Sequence, residues 1–192
     1  MDQKIILASQ SPRRKQLLQW AEIPFEIAVH QSDETYPAGL DACEAALYIA
    51  RNKALAVKYF LNSENEDAII IAADTIVVLD GKIIGKPQNR GDAINILQSL
   101  SGEAHDVITG VVILHKKGDT AFADVTQVQF HSLSKEQIEF YVDKYHPYDK
   151  AGAYAIQEWI GVVGIKSVQG DFYNVMGLPV SRVVRELNKL KG

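Results

Sequence analysis

Asp74 stands inside an apolar run, residues 68–79 (AIIIAADTIVVL), that otherwise reads as a strand covered on both faces. An ionised Asp left unpaired in an apolar interior costs several kcal/mol, so this one must be paired, bound to metal, or open to a cleft. A second carboxylate, Glu34, lies in an acidic turn, and five cations occupy the ends or inner faces of elements: Arg13, Arg14, Lys53, Lys86 and Lys150. Asp74 and Glu34 have the oxygen chemistry that a hard divalent cation such as Mg²⁺ prefers. The five cations are candidates for phosphate oxygens. Phosphoryl transfer and hydrolysis need this combination, cations to stabilise developing charge and a metal or base to activate water. The set suggests a nucleotide or phosphate hydrolase. A structural Asp74, bonded to backbone N–H groups or to a nearby lysine, is the other reading.

Local signals indicate the elements that must position these residues. Residues 4–8 (KIILA) form a short strand that stops at Ser9-Gln10-Ser11-Pro12. Ser11 suits an N-cap and Pro12 the first helical position, which predicts a helix from Pro12 to about Ala21. Arg13, Arg14 and Lys15 then fall in its first turn, where the helix dipole makes each cation unfavourable by roughly 0.3–1 kcal/mol. Removing either arginine is therefore expected to cost the empty protein little stability. A bound anion would reverse the sign, whereas a solvated basic face needs no ligand.

Residues 25–29 read as a second strand, followed by Ser32-Asp33-Glu34. Asp41 and Glu44 have capping-box spacing and open the longest helix, residues 42 to about 61, with Leu47, Ala50, Ala54, Val57 and Leu61 as its apolar stripe. Lys53 sits on or beside that stripe, where it either snorkels to water or points into a cleft. Residues 62–67 read as a polar surface loop. Asp80-Gly81 is a type I′ turn that folds residues 82–84 back on the central strand. Pro87 biases Lys86 to an extended backbone.

A helix from about Asp92 to Leu100 ends at Ser101-Gly102, strands 105–114 and 121–130 follow, and Ser134 with Gln137 caps a helix that stops before Pro147. Residues 149–157 (DKAGAYAIQ) form a loop of polar and small residues. Residues 161–168 and 172–176 read as a closing hairpin around Gln169-Gly170-Asp171. Pro179 opens a terminal helix that reaches Leu190. The alternation of helices, strands and hairpins predicts an α/β fold with a mixed sheet and helices around it.

The chain has 192 residues, 47% hydrophobic and 23% charged, which suits one domain or two closely joined lobes. A net charge of −4 argues against a bulk nucleic-acid or anionic-membrane binder. The single cysteine, Cys43, excludes an intrachain disulfide framework and fits a reducing compartment. With no signal-peptide pattern and no apolar run of transmembrane length, the expected location is the cytoplasm. Residues 81–87 are one short of a Walker A loop and carry Pro87 where Ser/Thr is needed; there is no G-x-G-x-x-G and no nucleophile elbow. Histidines 30, 105, 115, 131 and 146 lack metal-ligand spacing, and His105 reads as structural.

In this order, LASQSPRR (residues 7–14), Asp33-Glu34, ARNKA (50–54), ADT (73–75), GKP (85–87), LSGEAH (100–105), DKAGAYAIQ (149–157) and VMGLP (175–179), the chain resembles the Maf family of nucleoside triphosphate pyrophosphatases. The resemblance spans nearly the whole chain and implies a single Maf-like domain over residues 1–192. It implies an elongated mixed central β-sheet flanked by helices, two lobes with a cleft and no linker, similar to the inosine triphosphate pyrophosphatases. It also implies cleavage between the α- and β-phosphates with Mg²⁺ or Mn²⁺, and a homodimer. By that resemblance Asp74 would be the general base and, with Glu34, hold the metal, while Ser9, Arg14, Lys53 and Lys86 grip the triphosphate. Arg13, Thr75 and Gln157 resemble the branch acting on dTTP and UTP, and a glutamine amide can both donate to and accept from a pyrimidine's imide edge. Rivals are the same reaction on a methylated purine or another modified nucleotide, and a non-catalytic nucleotide-binding regulator linked to septum formation. At Glu158-Trp159-Ile160 the chain departs from the small, glycine-rich residues of many relatives.

Overall fold

The structure, a computed structural model, describes residues 3–61 and 67–190. The surface loop expected over residues 62–67 lies outside the described residues except at Asp67. The chain divides into two compact units. The first takes the described residues up to Asp74, then Thr109–Asp124, then those from Gly177 onward; the second takes Thr75–Ile108 and Val125–Met176.

Short β-branched runs build the first unit. β1 (Ile5–Leu7) lies parallel to β2 (Glu26–Ile27) and to the start of β3 (Ile69–Leu79), with Ile5, Ile6 and Leu7 opposite Ile69, Ile70 and Ile71. Parallel neighbours require crossovers, and α1 (Pro12–Trp20) and α2 (Ala42–Phe60) supply them. The side chain of Ser11 caps α1, and α2 opens on a reciprocal box in which Asp41 accepts from the Glu44 N–H and Glu44 from the Asp41 N–H.

The buried stripe of α2 is Ala45, Ala46, Ile49, Ala50, Ala54 and Val57, while Leu47 and Leu61 are only half-buried. Small residues take that stripe because a backbone passes close to it. A Cβ on Gly110 would lie 2.5 Å from the Ala46 carbonyl carbon. Ile6, Ala8, Ala54, Val57, Ile70, Ala72, Val112 and Leu114 fill the core.

Two further long strands, β5 (Ala104–His115) and β6 (Gly118–Phe130), contribute residues to both units, as β3 does. In the second unit, Asp80 and Gly81 both take positive φ, 49° and 73°, and turn β4 (Lys82–Ile84) back antiparallel on β3, as the turn chemistry predicts. α3 (Arg90–Leu100) starts two residues before the expected Asp92, because the side chain of Asn89 caps it by accepting from the Asp92 N–H at 3.0 Å. α4 (Lys135–Tyr145) begins on the predicted capping box and stops before Pro147, and two 3₁₀ turns, Pro147–Asp149 and Ala151–Ala153, follow.

The expected closing hairpin is absent. Trp159–Gly164 is a helix, α5; Ile165–Gln169 is strand β7; Phe172–Val175 is a short helix, α6. β7 pairs antiparallel with β6, Val168 opposite Val128, and Asp171 caps α6 by accepting from the Tyr173 N–H at 2.8 Å. A ladder from far along the chain has won over the local turn signal. The terminal helix is α7 (Val180–Leu190).

The strands run in the order β2-β1-β3-β5-β6-β7, with β4 on β3, giving the mixed sheet with flanking helices that the alternation predicts. No helix among the described residues is long and apolar enough to cross a membrane.

Candidate active site

β3 is fully buried from Ile69 to Ala73, half-buried at Asp74 and Thr75 and buried again at Ile76 and Val77, so the carboxylate sits at a short opening in an otherwise sealed run. Asp74 is paired. Its Oδ1 lies 2.6 Å from Lys53 Nζ, with side chains 15% and 17% exposed. Lys53 comes from α2, three residues after Ala50 and four before Val57, both buried, so the helix feeds its stem along the edge of the core. The same ammonium meets Glu34 Oε1 at 2.8 Å. One lysine therefore gathers two carboxylates that are forty residues apart in sequence (74 minus 34). The bond to a nearby lysine, the structural reading of Asp74, is present, but it forms part of a polar cluster rather than a closed pair.

Ser9 and Arg14 belong to the same unit. Ser9 Oγ accepts from the Ser11 N–H at 3.2 Å and from Arg14 Nη1 at 3.3 Å, and Arg14 Nε donates to the Gly177 carbonyl at 2.7 Å. Arg14 is buried and Arg13 half-buried. Burial pulls the Arg14 guanidinium below its ordinary pKa; Asp74 opposes that pull, Arg13 adds to it, and Glu34 opposes it. An incoming anion would stabilise a cation held in that balance.

The two arginines are thus not equivalent, which corrects the expectation that both are cheap to remove. Arg14→Ala should cost about 1–3 kcal/mol by leaving the Gly177 carbonyl without its charged donor, or roughly 3–10 °C in Tm. Arg13→Ala should melt close to the parent, because it removes a cation from a helix start and relieves Arg14. Melting curves of both variants check the difference; equal losses would contradict it.

The second unit holds Thr75, Lys86 and Gln157. Thr75 follows Asp74 directly, so its side chain leaves β3 on the opposite face. Lys86 is exposed, between the buried Pro87 and Gly85, whose carbonyl accepts from the Gly152 N–H at 3.2 Å. Gly152 needs its φ of 69° there, and a Cβ would approach Val77 Cγ2 to 3.0 Å. Gln157 is exposed on a turn, residues 155–158, closed by the Glu158 N–H on the Ala155 carbonyl at 3.0 Å.

Lys150 also lies in the second unit. It is buried, and its ammonium lies 2.8 Å from Asp149 and 3.8 Å from Glu158. Glu158-Trp159-Ile160 turn into the unit itself: Glu158 accepts from the Tyr141 hydroxyl, Trp159 meets Phe140 edge-on at 4.8 Å, and Ile160 is fully buried. His105 is structural. It is buried edge-on against Phe130 with Nε2 on the Tyr154 hydroxyl at 2.8 Å, and burial lowers its pKa to about 4, so it is neutral at pH 7.

Sequence reasoning missed Tyr141, which reads as core at helical spacing with Ile138 and Val142, and the Gly177 carbonyl, for which no local signal exists.

Among the described residues no three His, Cys, Asp or Glu side chains form a metal-binding group. Asp74 and Glu34 nevertheless supply two hard oxygen donors at one ammonium. That donor set fits Mg²⁺ or Mn²⁺, which fill most of their shell with substrate oxygens and water.

A family model described as Maf-like protein matches residues 4–190. The chain is 50% identical to a dTTP/UTP pyrophosphatase of Cytophaga hutchinsonii, over 97% of this chain and 84% of that one. It is 50% identical to a dTTP/UTP pyrophosphatase of Porphyromonas gingivalis, over 96% and 92%, and 47% identical to one of Bacteroides thetaiotaomicron, over 97% and 96%. Among solved structures it resembles the Staphylococcus aureus Ham1 protein, with a TM-score of 0.51 at 16% identity over 96% of this chain and 100% of that one, a likeness of fold.

Proposed function

The chain belongs to the Maf family, and from that premise we propose that it hydrolyses dTTP and UTP to the nucleoside monophosphate and pyrophosphate. The observation that carries the reading is the cluster in which the Lys53 ammonium brackets Asp74 and Glu34.

Asp74 is the general base: it takes a proton from water as the water oxygen attacks the α-phosphorus, and the bond from that phosphorus to the bridging oxygen breaks to release pyrophosphate. Lys53, Arg14, Ser9 and Lys86 hold phosphate oxygens and stabilise the charge that develops on them. Arg13, at the dipole-positive start of α1, adds to that anion preference. Asp74 and Glu34 would hold a divalent cation, whose chemistry is Lewis-acid stabilisation of phosphoryl charge. Thr75 and Gln157 select the nucleotide. The Gln157 amide offers one donor and one acceptor face, which match the N3–H and O4 of uracil and thymine.

Pyrophosphate release from a nucleotide panel with Mg²⁺ tests the reading. Fast turnover of dTTP and UTP over dCTP, purine and methylated purine triphosphates is the expected result. Preference for a methylated purine, or release of orthophosphate in place of pyrophosphate, would contradict it.

A further inference from the structure

The turn that presents Gln157 is clamped by a group far from it in sequence. Tyr141, fully buried on α4, accepts from the Ala155 N–H through its hydroxyl at 3.1 Å and donates to the Glu158 carboxylate. One phenol thus holds both ends of residues 155–158. Glu158 is the N-cap of α5, yet its side chain caps nothing in that helix. It lies instead on Tyr141, with its other oxygen 3.8 Å from the buried Lys150 ammonium. Behind the turn, Gly161 leaves no slack, since a Cβ there would fall 1.7 Å from the Ile156 carbonyl oxygen. Of the four turn residues Gln157 alone is exposed. Packing does not account for this arrangement, because a phenylalanine fills the same space as Tyr141 without its hydroxyl.

We propose that Tyr141 is a positioning residue for base selection, its hydroxyl fixing the turn through Ala155 and Glu158 so that the Gln157 amide stands in one orientation. The inference rests on the reading of Gln157 as the residue that meets the base. Orientation matters because a glutamine amide rotated by half a turn exchanges its donor and acceptor. Uracil and thymine present N3–H and O4, cytosine the reverse pattern, so a loosely held amide would serve either base.

The test is kcat and KM for dTTP and dCTP, with melting curves, for Tyr141→Phe, Glu158→Gln, Gln157→Ala and the double variant Tyr141→Phe/Gln157→Ala. Tyr141→Phe should lower the preference for dTTP over dCTP about tenfold, mainly through KM for dTTP, with kcat within about threefold of the parent. The double variant should be no less selective than Gln157→Ala, since the hydroxyl then has nothing to position. Glu158→Gln keeps the shape of the turn and should lose part of the preference, which gives a readout should Tyr141→Phe not fold. An unchanged dTTP:dCTP ratio in Tyr141→Phe and Glu158→Gln, or equal losses on both nucleotides, would overturn the positioning role. If Gln157→Ala still loses selectivity in that case, the base-reading role of Gln157 stands. A Gln157→Ala variant with full selectivity would remove both.

Discussion

Lys53→Met is expected to lose turnover and stability together. In the parent the ammonium sits 2.6 Å from Asp74 and 2.8 Å from Glu34, and both bonds go when it is replaced by a thioether. Asp74, 15% exposed, is then left without that partner and faces a second carboxylate in a poorly solvated place. Breaking a fully buried pair costs about 3–5 kcal/mol; the partial exposure here and the solvation of Glu34 reduce that to roughly 1–3 kcal/mol, or about 3–10 °C in Tm. Turnover should fall by about 10²–10³-fold, the usual loss when one preorganised charge aimed at a transition state is removed. Melting curves and pyrophosphate release on the same preparations check both halves. A variant that melts like the parent would show that Lys53 does not hold the two carboxylates in solution.

Much of this was legible because the signals were local. The capping boxes Asp41/Glu44 and Ser134/Gln137, the Asp80-Gly81 turn and the Ser11-Pro12 helix start each need only a few neighbouring residues, and each stands as read. Asp74 could be singled out because a carboxylate violates the apolar pattern around it. Its partner could be offered only as a candidate: Lys53 is 21 residues away, and helical spacing alone allowed it to face either water or the cluster. Arg14 and the Gly177 carbonyl are 163 residues apart, so the anchoring bond that separates Arg14 from Arg13 has no trace in the sequence. Lys150 reads in the sequence as one more cation at the end of an element near carboxylates, and only the fold shows that it is buried with its ammonium 2.8 Å from Asp149 and 3.8 Å from Glu158. The closing hairpin failed for the same reason. Gln169-Gly170-Asp171 has turn chemistry, but the ladder that settles the strand runs to β6.

Asp74→Asn separates the two readings of Asp74 more sharply than any change to its partners. The substitution keeps the size of the side chain and most of its hydrogen bonding, and removes both the base and one negative charge. Lys53 keeps Glu34 at 2.8 Å, so the ammonium is not stranded and the stability change should stay within about 1 kcal/mol. The asymmetry with Lys53→Met follows from the geometry: the lysine has two carboxylates, and losing one leaves the other. Affinity should change much less than rate, since Ser9, Arg14, Lys53 and Lys86 remain. General base catalysis is worth about 10²–10⁴-fold, and kcat should fall by at least that range. Pyrophosphate release from dTTP, measured for the parent and Asp74→Asn beside their melting curves, tests the mechanism most directly. A folded variant with turnover reduced at least a hundredfold is the predicted result; a folded variant with near-parental turnover would remove Asp74 from the chemistry.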